Sequence, residues 1–145
     1  MAQRQTKRQG PVADRKAEIV QLLIQLGDRA RRVVSSTIQE FGAPESVAEA
    51  LRVLGTSETP LTLRDLASRL GRDPSTVSLA ADKLEHADLV VRVPHPTDGR
   101  KRVLQLTERG NVLWGTLQHR LHESNVFNDL DAAELKTLLE LLRRG

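Results

Sequence analysis

The stretch LTLRDLASRLGRDPSTVSLAADKLEHADL, residues 61–89, holds two short helical patterns separated by a glycine. Thr62 suits the N-cap of the first helix, and Asp65 three residues later completes a variant of the capping box. Gly71 ends that helix, and Asp73 suits the N-cap of the second, with a proline at its first position. Small and apolar residues recur at helical spacing in both helices: Leu66, Ala67, Leu70, Val77, Ala80, Ala81 and Leu84. Two short helices joined by a tight turn predict a helix-turn-helix.

A predicted β-hairpin follows the helix-turn-helix. Its strands are the β-branched and aliphatic runs LVVRV and VLQL, residues 89–93 and 103–106. Between them stands HPTDGRKR, residues 95–102, in which Asp98-Gly99 is a strong turn signal. The three residues after this pair are all cationic: Arg100, Lys101 and Arg102. Charges at an exposed tip can simply keep a sheet edge soluble, but beside a helix-turn-helix they indicate a DNA-binding wing.

The second helix of a helix-turn-helix enters the major groove of DNA and leads with its N-terminal residues. The first residues of that helix carry hydroxyls that can bond phosphates or base edges: Ser75, Thr76 and Ser78. Hydroxyls at a helix start also serve as caps, so the adjacent wing is what favours DNA contact over capping alone. We predict that Lys83 reaches the DNA backbone and that Lys101 and Arg102 contact or approach phosphates.

The helix-turn-helix and hairpin together resemble the winged-helix core of the MarR family of bacterial transcription regulators. The most specific part is the D-x-R-x-R pattern of Asp98, Arg100 and Arg102, followed by LTERG, residues 106–110. With its flanking helices the resemblance covers about residues 12–144. It implies a mainly α fold with a small β-hairpin wing, in which long dimerisation helices flank a winged helix-turn-helix core. It also implies that Arg100 inserts into the minor groove, that Asp98 holds it, and that the hydroxyl residues face the major groove.

Two positions depart from the family pattern. The family usually has Gly where Asp88 follows the second helix, and the left-handed backbone expected there is tolerated by Asp better than by most residues. Leu79 stands where a polar or basic residue is often found on the second helix. Fewer cationic side chains are therefore left for base reading, so we expect sequence preference to rest more on hydroxyls, the wing and DNA shape.

Long helical patterns lie on both sides of the predicted winged helix-turn-helix region, residues 43–107. Apolar residues recur at helical spacing over residues 12–42 and again over residues 108–145, where Asp131 and Glu134 form a second capping box. The winged core is too small to bury all of these apolar residues, so they predict a helical dimerisation region. An intramolecular bundle in a monomer is the alternative. A homodimer would read a pseudo-palindromic operator.

The net charge of +3 is unevenly placed. Residues 1–16 hold five basic side chains against one acidic side chain, so the rest of the chain has a net charge of −1. Any DNA-binding surface must therefore arise by local clustering of cations. Residues 1–11 predict a disordered basic N-terminal arm, either a passive tail or a segment that lies near phosphates.

Composition disfavours several classes of protein. One Trp, two Phe and no Tyr offer few platforms for single-strand binding by base stacking. The absence of Cys excludes thiol catalysis, disulfides and a cysteine-based oxidant sensor, and it suits a cytoplasmic protein. The sequence has no long apolar stretch, so we expect neither a transmembrane helix nor a signal peptide, and no membrane partner.

We expect no enzymatic activity, no cofactor and no metal. None of the four histidines has a catalytic partner in a recognised arrangement, and there is no Gly-rich phosphate loop. His119 and His122 share part of a helix face with Glu123, which keeps a metal-responsive regulator as an alternative. A winged helix that binds protein in place of DNA is the other alternative.

The resemblance further implies a repressor that a small organic ligand, often a phenolic acid, releases from DNA. In the family such ligands occupy a cleft between the dimer helices and the winged region. The first helix offers four arginines for an anionic ligand: Arg15, Arg29, Arg31 and Arg32. The sequence leaves open which of them, if any, faces such a cleft.

Overall fold

In a computed structural model, residues 11–124 and 127–144 are described. The helices and strands follow in this order: α1 (Pro11–Glu40), α2 (Ala48–Thr56), α3 (Leu63–Leu70), α4 (Pro74–His86), β1 (Val90–Pro94), β2 (Arg102–Leu106), α5 (Glu108–Glu123) and α6 (Ala132–Arg144). A short 3₁₀ turn, Glu45–Val47, precedes α2. The two strands form an antiparallel hairpin that pairs Val90 with Leu106 and Pro94 with Arg102. The predicted mainly α fold with a β-hairpin wing is confirmed.

The predicted N-terminal arm lies almost wholly outside the described residues. Its last residue, Pro11, is instead the first residue of α1, a position that proline favours because its fixed φ is already helical. None of the described helices is both long enough and apolar enough to cross a membrane.

The helix-turn-helix is built largely by local signals. The Thr62 hydroxyl accepts from the Asp65 amide over 3.1 Å, and Asp65 Oδ2 accepts from the Thr62 amide over 2.9 Å, so the predicted capping box is confirmed. The Thr62 hydroxyl also donates to Asp65 Oδ2 over 2.6 Å, and this bond, followed by the bond from the Thr62 amide, lowers the pKa of Asp65. Gly71 ends α3 with φ of 60°. Asp73 does occupy the N-cap of α4, but its side chain makes no capping bond; Pro74 fixes the first turn there.

The buried core lies beneath α4 and extends into both flanking helices. Its fully buried large side chains come from five of the helices and both strands: Ile38, Leu51, Leu66, Val77, Leu84, Val90, Val103 and Leu113. Ile38 of α1 and Leu113 of α5 belong to the same cluster as Leu84 of α4. The winged region therefore shares its core with the long helices, and its separation from them as residues 43–107 stays a prediction.

An ion pair between Glu40 and Arg120 links α1 to α5. The Arg120 guanidinium donates to both carboxylate oxygens of Glu40 at 2.9 Å and to the hydroxyl of the buried Thr37 at 2.9 Å. The hydrogen bonds from Arg120 lower the pKa of Glu40 from its ordinary value of 4.5. The pair's contribution to stability is therefore complete above that value and is lost as the pH falls through the lower pKa of the folded state.

Substitution of Gly110 tests how closely the start of α5 packs against the backbone of Leu89. A Cβ on Gly110 would overlap the carbonyl oxygen of Leu89, which is backbone and cannot turn aside. Gly110→Ala should therefore lower the free energy of unfolding by about 1–3 kcal/mol or more. Gly115 of the same helix has nothing within 4 Å of such a Cβ, so Gly115→Ala should raise it by about 0.5–1 kcal/mol. Urea unfolding of both variants measures the difference, and similar effects of the two substitutions would contradict this seating of α5.

Candidate nucleic-acid interface

Helix α4 turns one side to the core and the other to solvent. Val77, Ala81 and Leu84 are its buried residues. At 3.6 residues per turn the opposite side is a row of four exposed residues, here called the outward row: Ser75, Leu79, Asp82 and His86. Leu79 lies near the middle of this row and is 62% exposed. The sequence had marked it only as a departure from a polar pattern, not as a contact residue.

The predicted contact residues of α4 lie on several sides of the helix. Ser75 belongs to the outward row. Thr76 is exposed on the side of the 3₁₀ turn, and on that side Lys83 Nζ donates to Ser46 Oγ over 3.2 Å. Ser78 is half-buried on the side of β1. Ser75 and Thr76 are thus the most open of the predicted α4 residues, whereas the ammonium of Lys83 leans toward the start of α2.

The wing ends in a loop that presents its cations to solvent. The amide of His95 donates to the carbonyl of Lys101 over 2.8 Å, and the amide of Lys101 donates to the carbonyl of Asp98 over 3.0 Å. The tip is therefore a four-residue turn within the longer loop 95–101. The three cations at and beside this turn are all exposed: Arg100, Lys101 and Arg102.

Asp98 orders the turn through its backbone neighbours. Its Oδ1 accepts from the backbone amide of Arg100 over 3.2 Å, and its Oδ2 lies 3.9 Å from Lys101 Nζ. Aspartate commonly makes this bond to the amide two residues on. Among the described residues no contact joins Asp98 to the guanidinium of Arg100. The carboxylate therefore fixes the backbone that carries Arg100 and leaves its side chain free to move.

Arg92 ties the wing to α4. Its Nη2 lies 2.6 Å from Asp82 Oδ1 and its Nη1 lies 3.4 Å from Glu85 Oε2. One planar guanidinium on β1 thus spans two carboxylates one turn apart on α4, and the fork geometry of Arg suits such a pair. The contact, here called the Arg92 brace, links the wing to α4 and offsets one of the two negative charges that Asp82 and Glu85 place on that side of the helix.

The family model of the MarR family matches residues 42–101. This winged helix-turn-helix region is therefore similar in sequence to the MarR family. The match covers the 3₁₀ turn, α2 to α4 and the wing as far as the Asp98 turn, so the resemblance predicted from the wing pattern is confirmed. None of the curated proteins compared with the chain matches it.

Solved structures of MarR family and related proteins share the fold over most of the chain. YusO from Bacillus subtilis has a TM-score of 0.63 at 22% identity, covering 91% of this chain and 95% of that one. CouR from Rhodococcus jostii RHA1, bound to p-coumaroyl-CoA, has a TM-score of 0.66 at 24% identity, covering 86% and 89%. A mutant of S. aureus MepR, bound to an oligodeoxyribonucleotide, has a TM-score of 0.62 at 20% identity, covering 87% and 94%. At these identities the likeness shows the fold.

A cavity of about 670 Å³ lies between α1 and the winged region. Its walls include apolar side chains of α1, α3 and α4, together with two acidic residues, Glu45 and Glu49, and three cations: Arg31, Arg72 and Lys83. Arg72 is paired with Glu49 over 3.1 Å, whereas Arg31 has no ion pair among the described residues. Of the four arginines left open by the sequence, Arg31 is the one that lines this cavity. An apolar wall with a few cations suits a small organic anion.

The histidines of α5 form no metal centre within the described chain. His119 Nε2 lies 3.4 Å from Glu123 Oε2, and His122 is exposed on the same helix. Across residues 11–124 and 127–144, no three His, Cys, Asp or Glu side chains stand close enough to hold a metal ion. The metal-responsive alternative has no support from these residues.

The Arg92 brace predicts whether removal of its acidic partners strengthens or weakens the binding of duplex DNA. Replacing Asp82 and Glu85 together by Asn and Gln removes two negative charges beside the groove-facing surface, so charge alone predicts tighter binding of duplex DNA. If the brace sets the angle between wing and α4, the double variant should bind more weakly, as fluorescence anisotropy can measure. Asp73→Asn is the matched control, because Asp73 lies at the start of α4 and takes no part in the brace. Tighter binding by both variants would show that the brace does not position the wing.

Proposed function

We propose that this chain is a sequence-specific, double-stranded DNA-binding transcriptional regulator, acting in the cytoplasm as a homodimer on a pseudo-palindromic operator. The observation that carries the proposal is that α4 exposes its N-terminal residues while Arg92, through Asp82 and Glu85 farther along the helix, holds a cationic wing beside it. This arrangement allows α4 to enter the major groove while the wing reaches the adjacent minor groove. The MepR mutant of the same fold is bound to an oligodeoxyribonucleotide, which supports DNA as the partner.

The contact residues have separate roles in this proposal. Arg100 enters the minor groove, and its backbone is held by Asp98. Lys101 and Arg102 approach phosphates, as does Lys83 once it leaves Ser46. The hydroxyl residues of α4 that face the major groove are those named from the sequence: Ser75, Thr76 and Ser78.

Selection from a pool of random duplexes tests the function as a whole. Two recognition helices one turn of DNA apart require an inverted repeat with half-site centres about 10 base pairs apart. Binding should weaken steeply with salt, because phosphate contacts release counterions. Enrichment of single-stranded DNA or of direct repeats would contradict the proposal, and no enrichment at all would favour a winged helix that binds protein.

The two neighbouring wing cations should behave differently. Arg100→Ala should cost about 1–3 kcal/mol of binding free energy and relax base preference at the outer positions, because a guanidinium in a narrow groove makes a specific contact. Lys101→Ala should weaken binding to all sequences about equally and lower the salt slope by about one, because it removes a phosphate contact. Binding titrations over a salt series with matched and altered duplexes measure both effects. Indistinguishable variants would mean that the tip acts only as general positive charge.

The proposed homodimer is supported by apolar surface that the described chain leaves uncovered. On α1 and α6 the exposed large apolar residues recur at helical spacing: Ile19, Leu22, Leu23, Leu135, Leu139 and Leu142. Helix α6 has no buried residue. Contiguous apolar stripes of this size mark interaction surfaces, and a second copy supplies matching stripes.

Deleting residues 129–145 tests the dimer. No described residue in this segment is buried, so the truncated chain should keep the core beneath α4. It should lose the dimer and, with it, tight binding to the two-half-site operator. Sedimentation and circular dichroism on the same sample separate loss of assembly from loss of fold. A truncated chain that still sediments as a dimer with unchanged affinity would remove α6 from the interface.

We propose repression from the family resemblance, and release by a small organic anion from the cavity that Arg31 lines. The structure of CouR with bound p-coumaroyl-CoA supports a ligand of this kind. A ligand that prefers a conformation unsuited to DNA must weaken DNA binding to the same extent that DNA weakens its own binding. Screening phenolic acids by thermal shift and by DNA release tests this part of the proposal.

A further inference from the structure

Leu79 is an isolated apolar side chain in the surface that the proposed function turns to DNA. It is 62% exposed, and its neighbours in the outward row are Ser75, Asp82 and His86. The core of α4 is completed by Val77, Ala81 and Leu84 on the opposite side. One edge of the Leu79 side chain lines the cavity together with Thr76 and Ala80, and the larger part of it faces solvent away from the core.

The chemistry of a leucine limits what it can read. It has no donor or acceptor, so it cannot bond the edges of guanine, adenine or cytosine. The apolar group that base pairs present in the major groove is the C5-methyl of thymine. Leu79 lies in the middle of α4, one turn along from Ser75 on the same row, so it follows directly behind the residues that lead into the groove.

The charges around Leu79 do not oppose such a contact. Asp82 is the next residue of the outward row, and the Arg92 brace pairs its carboxylate at 2.6 Å. Lys83 leans to the side, toward Ser46. The middle of the outward row is therefore apolar, and the negative charge that Arg92 offsets only in part beside it makes the position better suited to a methyl group than to a phosphate.

We propose that Leu79 is a specificity-determining residue that packs against the C5-methyl of a thymine in each half-site. The inference rests on the proposed function and adds the base class that the middle of α4 prefers. Contact with one methyl group buries about as much apolar surface as one methylene and should change affinity about fourfold per half-site.

Replacing thymine by deoxyuridine tests the contact, because the two bases differ only in this methyl. Duplexes of the selected operator carry deoxyuridine at one thymine position of both half-sites at a time, and each is titrated with the full-length chain. At one position the wild type should lose about fourfold in affinity per half-site. Leu79→Ala should bind the thymine duplex more weakly and show a thymine-to-deoxyuridine ratio near one at that position. Its salt slope should not change, because an apolar contact releases no counterions.

Two further variants separate Leu79 from its neighbours. Leu79→Met keeps an apolar side chain and should keep a ratio clearly above one. Thr76→Ser removes the other methyl available on the exposed part of α4 and should leave the wild-type ratio intact. Because both positions are exposed, circular dichroism should show unchanged folds.

The possible negative results distinguish failure of the proposed function from failure of the Leu79 inference. If the wild type selects no duplex sequence, the proposed function fails. If it selects an operator but no thymine position responds to deoxyuridine, or if Leu79→Ala keeps the wild-type ratio, this inference alone is overturned. Loss of the ratio in Thr76→Ser would assign the methyl contact to Thr76 and would also overturn it.

Discussion

Helix α5 begins directly against the carbonyl oxygen of Leu89, and the shape of the winged helix-turn-helix depends on this approach. Gly110 permits it, because a Cβ would overlap that oxygen. The Thr107 amide donates to the same carbonyl over 3.1 Å, and the Thr107 hydroxyl donates to the carbonyl of Asp88 over 2.6 Å. The end of α4, the start of the wing and the start of α5 are therefore held at one point.

Arg109 extends this junction to the first helix. Its Nη2 donates to the carbonyl of Phe41 over 2.9 Å, its Nε donates to the carbonyl of Ala87 over 3.3 Å, and its guanidinium lies 5.1 Å from the centre of the Phe41 ring. Carbonyls at helix C-termini carry partial negative charge, so one cation stabilises the ends of α1 and α4 together. A shift of α1 must then either break these bonds or move α4. Both helices wall the cavity lined by Arg31, so under the proposed function a ligand bound there would alter DNA affinity by moving α4.

The parts of the fold that could be predicted from the sequence are those determined by residues close to one another along the chain. The capping box at Thr62, the left-handed residue at Asp88 with φ of 58° and the hairpin all depend on residues a few positions apart. The contacts that orient the site were not predicted, since the Arg92 brace joins residues 10 apart and the Arg109 bond to Phe41 joins residues 68 apart. Sequence patterns show that such cations exist but not which carboxylate or carbonyl the folded chain brings to them. Asp73 shows the opposite case: it lies at the N-cap of α4 as predicted, but its side chain makes no capping hydrogen bond.

Two of the exposed apolar surfaces on the described residues matter for the proposed function, and they differ in extent. On α1 and α6 the exposed residues form stripes several turns long, and only another protein surface can cover so many side chains at once. Along the described helix α4, Leu79 is the single large exposed apolar side chain and borders the cavity on one edge; this patch is too small to hold a protein partner but sufficient for a single methyl group. Under the proposed function, the stripes therefore join two copies, and Leu79 meets the edge of one base pair. Arg109 bonds the end of α1 and the end of α4. Under the proposed function, the position of the dimer helix α1 therefore also affects where Leu79 enters the groove.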